Sequence, residues 1–203
     1  MIQYLQYLVL VGASAQLVGI FSYIKGTLRG NTKPNRVTWL MWSIAPIIAT
    51  FAAISGGVRW AVLPTFMAGF GPLLVFITSF INKNSYWKLQ KFDYFCGLCS
   101  VLALVLWGIT KEANVAIIFA ILSDGSAAIP TLIKAWRHPE TESGGPYVAG
   151  LFSALTSFVA IKTWNFSSLA FPTYLVAVCI LLSTFVYRRK IFIKEVTAKV
   201  ERR

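Results

Sequence analysis

Asp124 is the residue of this chain whose chemistry first needs an explanation. It lies near the middle of an apolar run, Asn114–Ile133, so a helix would place it about 15 Å from each end of that run. An ionised carboxylate at that depth in a bilayer is costly, and no apolar run of the chain supplies a Lys, Arg or His as its counter-ion. We therefore expect Asp124 to exchange a proton or to anchor a cationic ligand. The alternative is a neutral Asp that hydrogen-bonds within a helix contact.

Two threonines occupy matching positions directly after a proline. They stand in Leu63-Pro64-Thr65 and in Phe171-Pro172-Thr173. Either hydroxyl can bind a polar ligand, but a threonine beside a proline also hydrogen-bonds to its own helix. Their matched positions strengthen the interpretation of Thr65 and Thr173 as a pair of ligand-binding residues, with hydrogen bonding to their own helices as the alternative.

Aromatic and proline side chains complete the predicted site. Rings that could stack on a flat ligand, or pack in a core, are Trp42, Phe66 and Tyr174. Prolines inside helices bend them, and a bend near a site can act as a hinge. The expected hinges are Pro64, Pro130 and Pro172. No set of metal ligands and no nucleophile with its base stands out, so we expect no metal, no cofactor and no enzymatic activity.

The elements that must position these residues are long apolar runs. Of the 203 residues, 57% are hydrophobic and 13% are charged, whereas soluble domains carry about a quarter charged residues. A membrane-spanning helix needs about 20 apolar residues. Seven runs approach or reach this length: Tyr4–Ile24, Val37–Gly56, Ala61–Ile81, Phe92–Thr110, Asn114–Ile133, Tyr147–Ile161 and Ser168–Tyr187. The sequence predicts an all-α integral membrane protein with seven transmembrane helices.

The net charge of +12 is distributed unevenly along the chain. All but three of the 19 Lys and Arg residues lie in alternate loops or in the carboxyl-terminal tail; the exceptions are Arg59, Lys111 and Lys162. Positive residues favour the cytoplasmic side, so we expect the amino terminus outside and the carboxyl terminus in the cytoplasm. This segregation explains the charge without a nucleic-acid partner. The expected location is a bacterial inner membrane.

Two offsets superpose the first part of the chain on its second part. A shift of 109 residues aligns the first run with the fifth, pairing Ile20 with Ile129. A shift of 108 residues aligns the third run with the seventh, pairing Pro64 with Pro172. The predicted plan is three helices, one linker helix and three helices, with two parallel triple-helix-bundle repeats. Repeats of this kind build carriers with a midplane site between their halves.

The predicted boundaries follow this plan. Residues 1–82 form the first triple-helix bundle, 83–112 the linker helix, 113–187 the second bundle and 188–203 a basic cytoplasmic tail. The bilayer and a small-molecule substrate are the expected partners, and a homo-oligomer stays open.

This architecture resembles the SWEET sugar transporters and the wider PQ-loop superfamily over nearly the whole chain. Pro130-Thr131 stands where a Pro-Gln pair kinks the first helix of a triplet in PQ-loop proteins, with threonine in place of glutamine. Thr65 and Thr173 stand where SWEETs place an asparagine against the sugar. The resemblance implies a second pocket position at Ala49 and Ser157. The first triplet departs from the pattern, since Phe21-Ser22 stands at the position of the proline pair.

The repeat and the resemblance imply a membrane transporter. It would be a facilitator or a proton-coupled carrier that moves a small polar metabolite, such as a sugar, by alternating access. Two alternatives stay open: a seven-helix receptor or sensor of the PQ-loop type, and a carrier for a vitamin or nucleoside. The expected substrate-binding residues are Thr65, Thr173, Asp124, Ser157, Trp42, Phe66 and Tyr174.

Overall fold

Seven α-helices make up most of the chain that the structure describes. The computed structural model describes residues 7–55, 63–110, 113–159, 161 and 164–200. The helices are α1 Tyr7–Leu28, α2 Arg36–Ser55, α3 Leu63–Thr78, α4 Lys91–Ile109, α5 Ala113–Arg137, α6 Gly145–Val159 and α7 Phe166–Val200. Single 3-10 turns at Lys83–Ser85 and Pro139–Thr141 lie between helices. Each helix matches one predicted apolar run, and the all-α prediction is confirmed for these residues.

Three helices within those ranges are long and apolar enough to cross a membrane. They cover Lys91–Ile109, Ile117–Arg137 and Leu169–Arg188, and two shorter apolar helices cover Phe66–Thr78 and Gly145–Val159. Bulky apolar side chains also face outward: Val18 and Ile109 are each 70% exposed, and Phe51 is 66% exposed. Large exposed apolar surfaces mark contact with a membrane or a partner. Together these features indicate a membrane protein.

Polar side chains cap two of the helices, α2 and α4, that begin at the end of the molecule with the basic loops. The side chain of Asn35 accepts hydrogen bonds from the backbone N–H groups of Val37 and Thr38 at 3.1 and 3.3 Å, which starts α2. The backbone N–H of Gln90 donates to Oδ2 of Asp93 at 2.8 Å at the start of α4. These bonds satisfy backbone groups that a helix end leaves unpaired.

We refer to α1–α3 as the first half and to α5–α7 as the second half. The third helix of each half packs against the other two helices of that half. In the first half α3 contacts α1 and α2, and in the second half α7 contacts α5 and α6. The two halves meet where α1 lies along α6 and where α2 lies along α5. The remaining helix, α4, lies along α5 and also contacts α2.

Each half has its own buried apolar cluster. The first cluster is Ile20, Tyr23, Trp39 and Val75. The second cluster is Ala128, Ala135, Tyr147, Val178, Leu182 and Val186. Trp42 packs against both clusters, so this ring lies where the two halves join.

Small residues bring α1 close to α6. A Cβ atom added at Gly19 would lie 2.7 Å from the carbonyl oxygen of Gly145 and 2.8 Å from Cβ of Ala149. A Cβ atom at Gly12 would likewise clash with Ser153 and Thr156. Because glycine lacks this atom, the two backbones approach more closely than larger residues would allow.

The basic loops meet at one end of the bundle. The backbone N–H of Lys33, in the α1–α2 loop, donates to the carbonyl of Thr141, in the α5–α6 loop, at 2.9 Å. The Asn82 side chain of the α3–α4 loop donates to the carbonyl of Leu28 at 2.8 Å. We call this the basic end. The three bases expected at the opposite end, Arg59, Lys111 and Lys162, lie outside the described residues.

The predicted linker helix, α4, has a largely exposed outer face. Phe95, Leu98 and Leu102 are 61%, 56% and 54% exposed. The last helix, α7, continues without interruption through the predicted start of the basic tail and ends at Val200.

Candidate ligand-binding site

A cavity of about 500 Å³ lies between the helices. All seven contribute to its lining, with Gln16 from α1, Trp42 from α2, Ala68 from α3, Trp107 from α4, Asp124 from α5, Ser157 from α6 and Phe171 from α7. Most of the lining side chains are apolar or aromatic. This volume and this lining are typical of sites for small organic molecules.

The cavity extends along the bundle away from the basic end. Nearest the basic end it reaches Trp39 and Tyr147, in the first turns of α2 and α6. At the other limit it reaches Trp107, in the last turn of α4, and Phe171, in the second turn of α7. Asp124 lies between these limits, at the middle of α5.

The carboxylate of Asp124 is held by a residue of α7. The hydroxyl of Tyr174 donates a hydrogen bond to Oδ2 of Asp124 at 2.6 Å, a length typical of a bond to an ionised carboxylate. Among the described residues that line the cavity, Asp124 is the one carboxylate, and none is a Lys, Arg or His. The site therefore presents one acidic group and, within that part of the chain, no internal cation.

Trp42 connects α2 to the same residue. Its indole Nε1 donates to the backbone oxygen of Asp124 at 3.3 Å. Its ring meets Trp39 edge to face, with centroids 5.4 Å apart, and Trp39 packs on Tyr23 at 4.7 Å. Aromatic surface thus continues from Asp124 to the basic end.

Four predicted site residues lie at or beside the cavity. Asp124, Trp42 and Ser157 line it, whereas Tyr174 is not a lining residue and lies next to it, hydrogen-bonded to Asp124. The Ser157 hydroxyl donates to the carbonyl of Ser153, one turn earlier on α6, at 3.2 Å.

The other predicted residues lie elsewhere or are not described. Thr173 is exposed on the outer face of α7. Phe66 is not among the lining residues and stacks on Phe70, with centroids 5.1 Å apart. The side chains of Thr65 and Ala49 lie outside the described part of the chain. The described side chains therefore place no threonine pair at the cavity.

The three predicted hinge prolines occupy different kinds of position. Pro130 lies inside α5 and Pro172 inside α7. Pro64 is the second residue of α3, where a helix tolerates proline without losing a hydrogen bond. Two other prolines, Pro46 in α2 and Pro72 in α3, lie inside helices and line the cavity.

A buried ion pair lies beyond the cavity at the basic end. Lys134, near the end of α5, pairs with Glu142 of the α5–α6 loop. The ammonium of Lys134 also donates to the backbone oxygen of Lys33, in the α1–α2 loop. The side chains of the pair are 1% and 0% exposed. The pair therefore ties a loop of the first half to a loop of the second half.

Two tyrosines complete this arrangement. The hydroxyls of Tyr23, on α1, and Tyr147, on α6, donate to Oε2 of Glu142 at 2.9 and 3.0 Å. A buried ion pair is stable only when further hydrogen bonds satisfy its charged atoms. We refer to Lys134, Glu142, Tyr23 and Tyr147 as the Lys134–Glu142 cluster. Because Tyr147 also lines the cavity, the cluster closes the cavity toward the basic end.

Threonines form a second contact between the halves beside this cluster. The hydroxyl of Thr131 on α5 donates to the hydroxyl of Thr38 on α2 at 3.0 Å. The Thr38 hydroxyl donates to the carbonyl of Ala127 at 2.7 Å. Both threonines are fully buried. Thr131, the residue at the glutamine position of the Pro-Gln pair, therefore joins α5 to α2.

Several residues at the cavity and its closure go beyond the predicted set. A signal for the Lys134–Glu142 cluster is the presence of two acids, Glu140 and Glu142, in an otherwise basic loop. The signal for Gln16 is an amide within an apolar run. Trp107 and Phe171 carry no comparable signal, because bulky aromatic residues are common in apolar helices.

Comparisons of the chain with protein-family models, with curated proteins and with solved structures find no match.

Proposed function

We propose that this protein is a membrane carrier that moves a small polar metabolite by alternating access. The observation that carries the proposal is the cavity between the two halves, which the Lys134–Glu142 cluster closes toward the basic end. A ligand in this cavity would leave toward the basic end only after the cluster separates. The protein would act as a facilitator or, through Asp124, as a proton-coupled carrier.

The helix contacts support a seven-span, two-bundle architecture. A two-fold axis between the halves would exchange α1 with α5, α2 with α6 and α3 with α7. Under that exchange the contact of α1 with α6 becomes the contact of α5 with α2, and both contacts are present. The central position of α3 in its half corresponds to that of α7 in its own. These correspondences support two parallel triple-helix-bundle repeats with α4 as the linker.

The charge distribution supports the proposed orientation. Loops rich in Lys and Arg meet at the basic end, and positive residues favour the cytoplasm. We place the basic end in the cytoplasm of a bacterium, with the amino terminus outside and the protein in the inner membrane. A cavity closed toward the cytoplasm in this way would take up its ligand from the outside.

The resemblance to SWEET and PQ-loop proteins supports a sugar as one substrate class. The indoles of Trp42 and Trp107 and the ring of Phe171 favour a second candidate, a carrier for a vitamin or nucleoside with a flat ring. Stacking of a flat ligand on aromatic side chains is favourable. In either case the ligand would occupy the same cavity.

Counterflow in proteoliposomes tests this function. Vesicles preloaded with glucose, uridine, thiamine or choline are diluted into the same labelled compound, and its entry is followed. We expect entry above that of empty liposomes for at least one compound. Ser157→Trp, which fills the cavity, should abolish this entry, whereas Thr173→Trp, on the exposed face of α7, should retain it. Binding of a compound without any entry would contradict the carrier and favour a receptor or sensor.

A further inference from the structure

We propose that the ligand of this cavity is an organic cation, an ammonium ion with apolar or aromatic substituents, bound by Asp124 and the indole rings beside it. That the ligand is carried across the membrane rests on the proposed function. That it is a cation rests on the cavity itself.

The charge of the cavity is the first argument. Asp124 is the carboxylate of the described lining, and the hydroxyl of Tyr174 donates a hydrogen bond to it. No Lys, Arg or His of the described lining offsets its charge. Removing a charge from water without an opposite charge beside it is unfavourable. A cationic ligand supplies the missing partner, whereas an anionic ligand would be repelled.

The aromatic lining is the second argument. The faces of indole rings attract cations, and tryptophan does so more strongly than other aromatic residues. The indole N–H of Trp42 donates a hydrogen bond to the backbone oxygen of Asp124 at 3.3 Å, so an indole ring and the carboxylate belong to one site. Trp107 and Phe171 add aromatic surface at the far limit of the cavity. A ligand with a positive centre and an apolar body satisfies both features.

Other cations fit the cavity less well. In the described part of the chain no three His, Cys, Asp or Glu side chains lie together as metal ligands. Hard metal ions need about six oxygen ligands, and an apolar cavity with one carboxylate does not provide them. Alkylammonium ions are weakly hydrated and need fewer polar partners.

Neutral sugars also fit less well. A sugar presents several hydroxyl groups, each of which loses free energy when it is buried without a hydrogen bond. The polar side chains that line the cavity besides Asp124 are few, with Gln16, Ser153 and Ser157 foremost. A cation with one charged centre needs fewer directed hydrogen bonds than a sugar.

Equilibrium binding to the purified full-length protein in nanodiscs tests this inference separately from transport. The probes are choline and dimethylbutanol, its uncharged isostere in which carbon replaces the quaternary nitrogen, with sodium chloride as the inorganic control. Isothermal titration calorimetry is applied to the wild type, to Asp124→Asn and to Glu140→Gln. The last variant removes one exposed negative charge outside the cavity. Thermal unfolding establishes that each variant is folded, and the amide at position 124 still accepts the Tyr174 bond.

We expect choline to bind the wild type and Glu140→Gln alike, and to bind Asp124→Asn about tenfold or more weakly. Dimethylbutanol should bind all three proteins weakly and equally. Equal affinities for choline and dimethylbutanol would overturn the inference, as would choline binding that Asp124→Asn leaves unchanged. Sodium binding to the wild type with an affinity equal to that of choline would overturn the inference in favour of an inorganic cation. Choline binding without counterflow supports the inference and contradicts the carrier, whereas counterflow of glucose without choline binding supports the carrier and overturns the inference.

Discussion

Lys134 and Glu142 form an ion pair whose two side chains are 1% and 0% exposed. The pair lies where the α1–α2 loop meets the α5–α6 loop, and the hydroxyls of Tyr23 and Tyr147 complete the coordination of the carboxylate. Tyr147 lines the cavity on its other side. The same residues therefore hold the two halves together and close the cavity toward the basic end.

The first prediction concerns the energy of this pair. Lys134→Met leaves Glu142 buried without its cation and should lower the free energy of unfolding by about 3–5 kcal/mol. Glu142→Gln should have a similar effect, because it leaves Lys134 unpaired. The double variant Lys134→Met/Glu142→Gln buries no charge and should lose much less than the sum of the two. Equilibrium unfolding in mixed micelles measures all three.

Arg137→Met is the matched control for that cycle. Arg137 is an exposed base in the last turn of α5, close to Lys134 in the sequence. Its removal should change the free energy of unfolding by less than about 0.5 kcal/mol. Additive losses in the double variant would show that Lys134 and Glu142 do not interact.

The second prediction compares two adjacent residues of α7. Tyr174→Phe removes the hydrogen bond to Asp124 and should lower the free energy of unfolding by about 1.5–3 kcal/mol, the range for a bond to a charged group. Thr173→Val alters an exposed side chain and should stay within about 0.5 kcal/mol of the wild type. Equal effects of the two substitutions would contradict the different positions that we assign to them.

The third prediction concerns proton coupling. If a proton and the substrate compete for the carboxylate of Asp124, the two are exchanged across the membrane. A proton gradient with the vesicle interior acidic should then drive accumulation of substrate in proteoliposomes. Asp124→Asn removes the titratable group, so accumulation should stop, while weakened exchange stays measurable at raised substrate concentration. Gradient-driven accumulation that persists in this variant would assign the coupling to another residue. Accumulation absent from the wild type as well would identify a facilitator.

The fourth prediction concerns topology. In a background without Cys96, Cys99 and Cys179, an impermeant thiol reagent should modify Asn31→Cys and Asn84→Cys only after cells are permeabilised. Both positions are exposed at the basic end, which we place in the cytoplasm. Trp164→Cys, at a position that is 69% exposed beside the start of α7, should react in intact cells. Modification of Asn31→Cys in intact cells would reverse the orientation.

Length and polarity were enough to predict the helices. Each run of about 20 apolar residues became one helix, because an α-helix satisfies every internal backbone group within its own segment. Between α1 and α2 the chain turns at Gly30, whose φ angle of 82° is a backbone conformation that glycine adopts readily. Asp124 was identifiable for a related reason, since a lone carboxylate is conspicuous among apolar residues.

The inward face of each helix was not predictable from the same information. Phe171 lines the cavity and Thr173 is exposed. Two positions along a helix correspond to a rotation of about 200°, so these side chains lie on nearly opposite faces. In a run that is apolar on every side, no periodicity marks the face that turns inward. The two acids of the α5–α6 loop are visible in the sequence, but which of them pairs with Lys134 depends on the path of that loop: Glu142 does, whereas Glu140 lies beside His138.

The sidedness of the cavity tests the central claim of alternating access most directly. Ser153→Cys, in a background without native cysteines, places a thiol on the cavity wall, and an impermeant thiol reagent is applied to right-side-out and inside-out vesicles. We predict ready modification in right-side-out vesicles and slow modification in inside-out vesicles. Adding Glu142→Gln should raise the rate in inside-out vesicles by about tenfold or more, because the closed state loses its buried ion pair. Modification from one side only, at a rate that Glu142→Gln leaves unchanged, would contradict the account.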